Sequence, residues 1–382
     1  MRAPLGWKQL WFKPVRLAVA LLGIAFAVLL IMMQLGFREA LFESAVRFHE
    51  RFDYDIALFS PDSVFIVRPE TFSIRRVYQA LGNADIASAT PVYIFPAVWK
   101  NPWTSGRRSL NAVGFDPSVS VLKTPGFDDV RGLLTKRDVI IFDENSRPEF
   151  GDVSAHFNDN ASLLTEVNSR KVTVVGLFEM GTSFGIDGTI MTSIDNWLRL
   201  FPSRNRNDIN LGLLKVKPGA DPESVAKELG AYLPKDVLVM TKEQFIQRET
   251  NYWNRATPIG YVFAFGAIMG LFVGAIIVYQ ILFADVTEHL SEYATLRAIG
   301  YKNSFIAGIV LQQAAILGML GFIPGVFASW FLYGQAAAAT SLPLYVTVER
   351  ASFVFVLTLS MCAISALLAV RKVASIDPAE VF

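Results

Sequence analysis

The sequence predicts an α-helical membrane protein with four transmembrane helices and a large mixed α/β extracytoplasmic domain inserted between the first and second of them. Three observations predict it. Four runs without acidic or basic side chains are each long enough to cross a bilayer, which takes about 20 residues. The long stretch between the first and second runs contains no such segment and reads instead as short strands and helices. Basic residues gather at those ends of the runs that would share one side of a membrane. Composition agrees: 18% of residues are charged and 52% hydrophobic, with mean hydropathy +0.38, whereas soluble domains carry about 25% charged residues.

Residues 1–16 hold Arg2, Lys8, Lys13 and Arg16 with no acid, interleaved with Trp7, Leu10, Trp11 and Phe12. This reads as a cytoplasmic amphipathic segment. Residues 17–36 form the first span. A cleaved signal peptide fits less well, because its apolar core runs about 7–15 residues and ends in a small-x-small site. Here the run is longer and passes directly into FREALFESAVRFHERF. There Leu41, Ala45 and Phe48 recur at helical spacing, so residues 37–52 read as a stalk helix.

Residues 53–240 read as the α/β domain. DIALFS, SVFIV, PVYIFPAVW, KVTVVGLFE, GTIMTS, LGLLKVK and DVLVM are rich in β-branched and aromatic residues and predict strands. SIRRVYQAL predicts a helix. DPESVAKELGAYL predicts another, capped by Asp221 with Pro222 in its first turn. Strand–helix–strand appears near both ends of the region, which suggests two half-domains separated by an insertion at about residues 100–170. Residues 241–257 read as a second stalk helix, with Tyr252 and Trp253 suited to a membrane interface.

The second span, residues 258–284, carries Gly266, Gly270 and Gly274 on one helical face, where small residues let another helix approach closely. That stripe suits either packing within the chain or a seam between two copies. Residues 285–303 form a polar segment between spans. As a helix it aligns Val286, Leu290, Tyr293 or Ala294, and Arg297 along one side. Residues 304–334 are the third span, with Pro324 inside it; 335–350 are a short external loop; 351–370 are the fourth span; and 371–382 are a cytoplasmic tail. Arg371 and Lys372, the basic N-terminal segment, Arg297 and Lys302 place both termini and the polar segment on the cytoplasmic side of the membrane.

Several function classes are excluded by what is missing. There is no GxxxxGK[ST], HExxH, GxSxG or CxxC motif. One cysteine, Cys362, in an apolar run and three scattered histidines offer no metal cage. No catalytic, cofactor-binding or metal-ligating residues are therefore expected, and no cofactor. A net charge of +1 gives no footprint for nucleic acid. The spans carry none of the buried ionisable groups that ion-coupled carriers use, so they read as helices that pack on one another.

The segment SEYATLRAIGYKNSFIAGIVLQQAAILGMLGFIPG resembles FtsX/MacB-type ABC transporter permeases, in which an R-x-E-I-A-x-L-R-A-I/L-G motif follows the second span. Glu292, Ala294, Leu296, Arg297, Ala298, Ile299 and Gly300 match it. Tyr293 stands for the usual Ile, and Ser291 departs from the pattern. SIDPAEVF is similar to the family's final DPAEAL, through Asp377, Pro378, Ala379 and Glu380. GLFEMGTSFGIDGTIMTS, with Phe184, Asp187 and Gly188, and the opening PLGWKQLWFKPVRLAVALLGIAFAV look like the DevC-like, heterocyst glycolipid exporter-type branch.

The resemblance implies a non-enzymatic subunit that works by mechanotransmission. Two copies of a separate ABC ATPase would move the segment after the second span. Glu288, Glu292, Tyr293, Leu296, Arg297, Ala298 and Gly300 would be the coupling residues. A second copy of the chain, a periplasmic membrane-fusion adaptor and a TolC-like outer-membrane duct would complete the assembly in membrane lipid. It would export a glycolipid, peptide or lipophilic cargo. An FtsX-like scaffold that activates a cell-wall hydrolase and a lipoprotein-releasing permease share the same plan.

Overall fold

A computed structural model describes residues 14–66, 69–124, 126–183 and 185–374. Most of the predicted N-terminal segment, Phe184, and Asp377, Pro378, Ala379 and Glu380 of the tail motif lie outside the described residues. In chain order the structure contains α1 (Pro14–Arg51), β1 (Ile56–Phe59), β2 (Phe72–Ser73), α2 (Arg75–Ala80), β3 (Ile86–Lys100), β4 (Arg107–Phe115), α3 (Phe127–Arg131), β5 (Val139–Asp143), α4 (Val153–Asp159), β6 (Leu163–Val167), β7 (Arg170–Phe178) and β8 (Thr189–Ser193). There follow α5 (Ile194–Leu200), β9 (Asp208–Ile209), β10 (Leu211–Val216), α6 (Pro222–Tyr232), β11 (Leu238–Thr241), α7 (Lys242–Asn251), α8 (Pro258–Glu288), α9 (Leu290–Ala298), α10 (Asn303–Thr340) and α11 (Val348–Ala374). Two compact units emerge: residues 1–40 with 258–382, and residues 41–257.

The first unit is a helical bundle. Helices α1, α8, α10 and α11 are each long and apolar enough to span a membrane. Its core joins Ile24, Val28 and Ile31 of α1 to Val278 and Leu282 of α8, Val310 and Leu317 of α10, and Val354 and Met361 of α11. The helices overrun the predicted edges of the spans. The second continues to Glu288, the third to Thr340, and the fourth begins at Val348. An α-helix stops where its hydrogen-bond ladder is broken rather than where hydropathy changes. Neither the acidic residues after Ala284 nor the alanines after Gly334 break that ladder.

The second unit is built on a nine-stranded sheet in the order β11-β1-β10-β3-β4-β8-β5-β7-β6, with β2 and β9 as a separate pair. Strand β3 holds it together. Its first half, Ile86 to Val92, pairs with β10, and its second half, Tyr93 to Lys100, pairs with β4. The end of β3 also pairs with β6 through Trp99↔Val167 and Lys100↔Glu166. Strands β3, β4, β8, β5, β7 and β6 thus close into a ring around Trp99, Phe142, Phe150 and Trp197. Residues 100–170 are consequently not an insertion between two half-domains. They supply half of this ring, and one continuous sheet replaces the expected separation.

SVFIV is not a strand in its described part, Ser63–Ile66: Ser63 N–H donates to the Ser60 carbonyl and Ile66 N–H to the Glu249 carboxylate, so neither pairs with a neighbouring strand. The helix at DPESVAKELGAYL forms as its cap dictates, with the Asp221 carboxylate accepting from Glu223 and Ser224 N–H. The stretch 241–257 is helical without a break from Lys242 to Ala256. A capping box of Thr241 and Gln244 starts α7. A π-helical turn, Tyr252–Ala256, follows. Thr257 is extended (φ −116°), as the residue before a proline tends to be, and Pro258 then opens α8.

Candidate coupling segment and helix clamps

The polar stretch after the second span folds as the last turn of α8, a break at His289, and α9. Asp285 is almost buried and accepts from Gln313 Nε2 of α10 at 3.1 Å. Arg16 of α1 donates to Glu288 at 2.8 Å and lies 3.9 Å from Asp285. His289 Nδ1 is 2.9 Å from the Asp285 carbonyl. On α9, Tyr293 and Ala294 are buried, and Leu290 and Leu296 pack against the bundle core. Glu292 and Thr295 face outward.

Gly300 closes the segment. Its φ is +105°, a backbone region that side-chain-bearing residues avoid. Tyr301 N–H reaches back to the Leu296 carbonyl at 3.1 Å, the six-to-one bond of a Schellman cap with Gly300 as its left-handed residue. The glycine of LRAIG therefore has a mechanical reason: it ends α9 and turns the chain into α10. Of the seven predicted coupling residues, Glu288 and Glu292 are solvent-accessible, Tyr293 and Leu296 serve the bundle's own packing, and Gly300 is the cap. Arg297 and Ala298 lie in the last turn of α9.

The glycine stripe of α8 lies against α1. A methyl group at Gly270 would sit 3.2 Å from Ile31 and 3.3 Å from Leu30. One at Gly274 would sit 2.6 Å from both Ala27 and the Met361 sulfur, and one at Gly266 would strike the Gln34 amide. Gly321 and Gly325 of α10 meet Ile24 and Val28 in the same way. Helix α1 is thus packed between two glycine-lined neighbours. At the other end of the bundle Arg350, 7% exposed, donates to Glu39 at 2.9 Å and to the Tyr345 carbonyl at 2.8 Å. Tyr333 donates to the Met32 carbonyl. Arg350 is thus a structural clamp.

In the α/β unit, the C-terminal end of α1 and helix α7 meet over one face of the sheet, through Phe48, Phe52 and Phe245 packed with Ile94, Phe115 and Met191. Within this apolar layer His49 and Glu249, each 1% exposed, lie 2.5 Å apart through Nε2 and Oε2. The Tyr54 hydroxyl is 2.7 Å from His49 Nδ1. Burial and the Glu249 charge push the Tyr54 phenol well above its ordinary value, so it keeps its proton, and the imidazole bridges the Tyr54 hydroxyl and the Glu249 carboxylate. Sequence reading missed this clamp. A signal was present: His49 lies on the same stripe as Ala45, Phe48 and Phe52, and Glu249 stands one turn after Phe245.

The loop between β7 and β8, which carries the GTSFGIDG motif, is fixed at both ends. Asp143 at the end of β5 is fully buried and accepts from the N–H groups of Met180 (2.8 Å) and Gly181 (3.0 Å). Burial raises its carboxyl to about 6 despite those donors. Arg47 of α1 donates to the Thr182 carbonyl at 2.8 Å. At the far end Asp187 is gripped by Arg108 (2.6 Å) and Arg147 (2.7 Å). A side chain on Gly188 would collide with Ser146 and Phe150. Among the described residues, no group of three or more His, Cys, Asp or Glu side chains could hold a metal ion.

Two family models match the chain. The MacB-like periplasmic core domain covers residues 17–232, more than half of it, and the FtsX-like permease C-terminal domain covers residues 264–378. An uncharacterised ABC transporter permease of Methanocaldococcus jannaschii is 27% identical over 166 residues, 42% of this chain and 40% of the relative. The macrolide export ATP-binding/permease protein MacB 1/2 of Paracoccus denitrificans is 23% identical over 257 residues, 64% of this chain and 37% of the relative. The chain spans about two fifths of the length of these curated relatives. The periplasmic region of MacB from Actinobacillus actinomycetemcomitans aligns with a TM-score of 0.35 and 15% identity, over 52% of this chain and 92% of that one.

Proposed function

We propose that this chain, which belongs to the family of MacB-like ABC transporter permeases, is the non-enzymatic membrane subunit of an exporter driven by two copies of a separate ABC ATPase. The observation that carries the reading is α9: a short helix fixed to the bundle by Tyr293 and Leu296, ended by the Gly300 cap, and presenting Glu288, Glu292 and Thr295 outward. An ATPase that pushes on this face moves the bundle as a packed body. We assign Arg297 and Ala298 to the same contact from the motif.

The helix lengths support motion carried beyond the membrane. At about 1.5 Å per residue, the 38-residue α1 extends about 57 Å, against a hydrocarbon core of about 30 Å. The spans proper would be residues 17–36, 258–284, 304–334 and 351–370, with 37–52 and 241–257 as stalks. Both termini and α9 would lie in the cytoplasm, and the α/β domain outside the inner membrane. In a homodimer, stalk motion would work the α/β domain beneath a periplasmic adaptor and a TolC-like duct. The GTSFGIDG loop supports the DevC-like branch, with a glycolipid or other lipophilic cargo.

The test is co-purification. The intact chain should carry an ABC ATPase out of native membranes, and deletion of residues 292–300 should abolish this while leaving membrane insertion intact. ATPase retained by the deletion variant overturns the assignment. A cell-wall hydrolase activator recovered in place of an adaptor would redirect it to a signalling scaffold.

A further inference from the structure

The α/β unit, residues 41–257, carries 25 Lys and Arg against 27 Asp and Glu, but its charge is unevenly spread. Lys136, Arg137, Arg170, Arg199, Arg204 and Arg206 gather where the turn before β5, the turn before β7, and α5 with the loop after it come together. Hydrogen bonds make the patch one structure. Asn196 Nδ2 donates to the Lys136 carbonyl at 2.8 Å and its Oδ1 accepts from Asp138 N–H at 2.9 Å. Arg170 Nε donates to the Arg199 carbonyl at 3.1 Å. Tyr93 donates to the Arg206 carbonyl at 2.6 Å. Three acids share the region: Asp138, flanked by Arg137 at 3.4 Å, Arg170 at 3.3 Å and Arg199 at 3.7 Å; Asp195, paired with Arg206; and Asp208. Six cations thus meet three anions, inside a unit whose remainder is acidic.

We propose that this patch docks the acidic face of a soluble protein partner, an inference that rests on reading the chain as one member of a larger export assembly. Three features favour a carboxylate-bearing protein over an anionic lipid surface. Five of the six cations are arginine, whose planar fork suits carboxylates and which is enriched at protein interfaces. The guanidinium groups are pre-positioned: Arg204 stacks on the Phe95 ring at 3.8 Å, and Arg170 and Arg199 share Asp138. The nearby aromatics Trp197 and Phe201 are buried and so are not available to insert into a bilayer, as the apolar side chains of interfacial membrane binders do.

The test uses the full chain in nanodiscs of neutral lipid, with a fluorescent 20-residue peptide of Glu, Asp and Gly as probe. Arg137 and Arg206 are well exposed, as is Lys136, so K136Q/R137Q/R206Q should fold with an unchanged melting temperature. It should bind the peptide at least tenfold more weakly and with a shallower salt dependence. K217Q/K227Q/K235Q removes three exposed cations elsewhere on the unit and should leave binding as it is. Equal loss in both variants, or phosphatidylglycerol vesicles displacing the peptide from the intact chain but not from K136Q/R137Q/R206Q, overturns the proposal. A photo-crosslinking residue at position 137 or 206 in native membranes should capture a soluble protein; adducts to lipid alone also overturn it. ATPase co-purification separates the two readings: if the ATPase still accompanies K136Q/R137Q/R206Q, a failure here belongs to the patch and not to the exporter assignment.

Discussion

Replacing His49 by Leu should cost the α/β unit about 3–5 kcal/mol, the penalty for leaving the buried Glu249 carboxylate without its partner. The structure supplies the reason. Glu249 is 1% exposed, and its donors are His49 Nε2 at 2.5 Å and Ile66 N–H at 3.2 Å. Without the imidazole the carboxylate keeps one backbone donor, Ile66 N–H. Replacing Glu249 by Leu orphans the His49 and Ile66 N–H groups, at about 1–3 kcal/mol each. In the double variant the buried charge and the His49 donor both disappear, and only Ile66 N–H and the Tyr54 hydroxyl are left unmet. The double variant should therefore be clearly more stable than the sum of the single losses predicts. In thermal unfolding of the solubilised full chain, with Trp253 in the adjacent Phe65–Tyr252 cluster contributing to the fluorescence signal, each kcal/mol moves the transition by about 2–4 °C for a domain this size. His49→Leu should lower it by roughly 6–20 °C on that scale. Single losses that simply add, or a His49→Leu loss no larger than a surface substitution, would refute the clamp.

Three further outcomes follow from the same geometry. Asp143 has a folded-state carboxyl raised from 3.8 to about 6, so the folded form holds its proton more tightly than the unfolded one. Stability from this group is present below about pH 4 and is lost as pH rises toward 6, by about 3 kcal/mol in all; unfolding of wild type and Asp143→Asn from pH 4 to 7 should show the two curves diverging by that amount. Gly274→Leu drives a side chain into Ala27 and Met361, so the bundle should lose at least the 1–3 kcal/mol of overpacking, read as earlier aggregation on heating in detergent, while Phe272→Leu at a nearby exposed position changes little. Gly300→Val strains the cap of α9 by about 1–3 kcal/mol and should speed tryptic cleavage after Lys302 in the full chain without shifting global melting.

The spans were legible because lipid imposes one long-range rule, an unbroken apolar run, and such runs show in a linear string. The location of the α/β unit was legible for the converse reason. Strand pairing was not. Closure of β3 on β6 depends on Trp99 and Lys100 finding Val167 and Glu166 across more than 60 residues, and no local pattern encodes it. SVFIV has strand-forming composition, but Glu249, nearly two hundred residues away, takes its Ile66 N–H; tertiary context overrode propensity. The LRAIG segment could be located from its residue pattern, but which of its residues face outward could not, because Tyr293 and Leu296 turn inward only once the bundle core they pack with has formed.

The polar groups of the bundle bear on how such a subunit could move cargo. Among the described residues, those buried within it are Asp285, Gln313, Ser329, Arg350, Thr358 and Ser365. Ser329 and Thr358 donate to carbonyls of their own helices, and Ser365 donates to Ala275 of α8 at 2.9 Å. The charged pair members sit at opposite ends: Asp285 beside Arg16 and Arg350 on Glu39. Between these ends run glycine-lined contacts too close for a methyl group. Such a bundle has no row of polar groups to replace the hydration shell of a passing solute, and its two polar clamps hold α1 to its neighbours at both ends. Displacing α9 then shifts α1, α8 and α10 together more readily than it separates them, because parting them would expose Asp285 and Arg350 without partners, at several kcal/mol each. Rigid displacement is what the proposed mechanism demands of these helices.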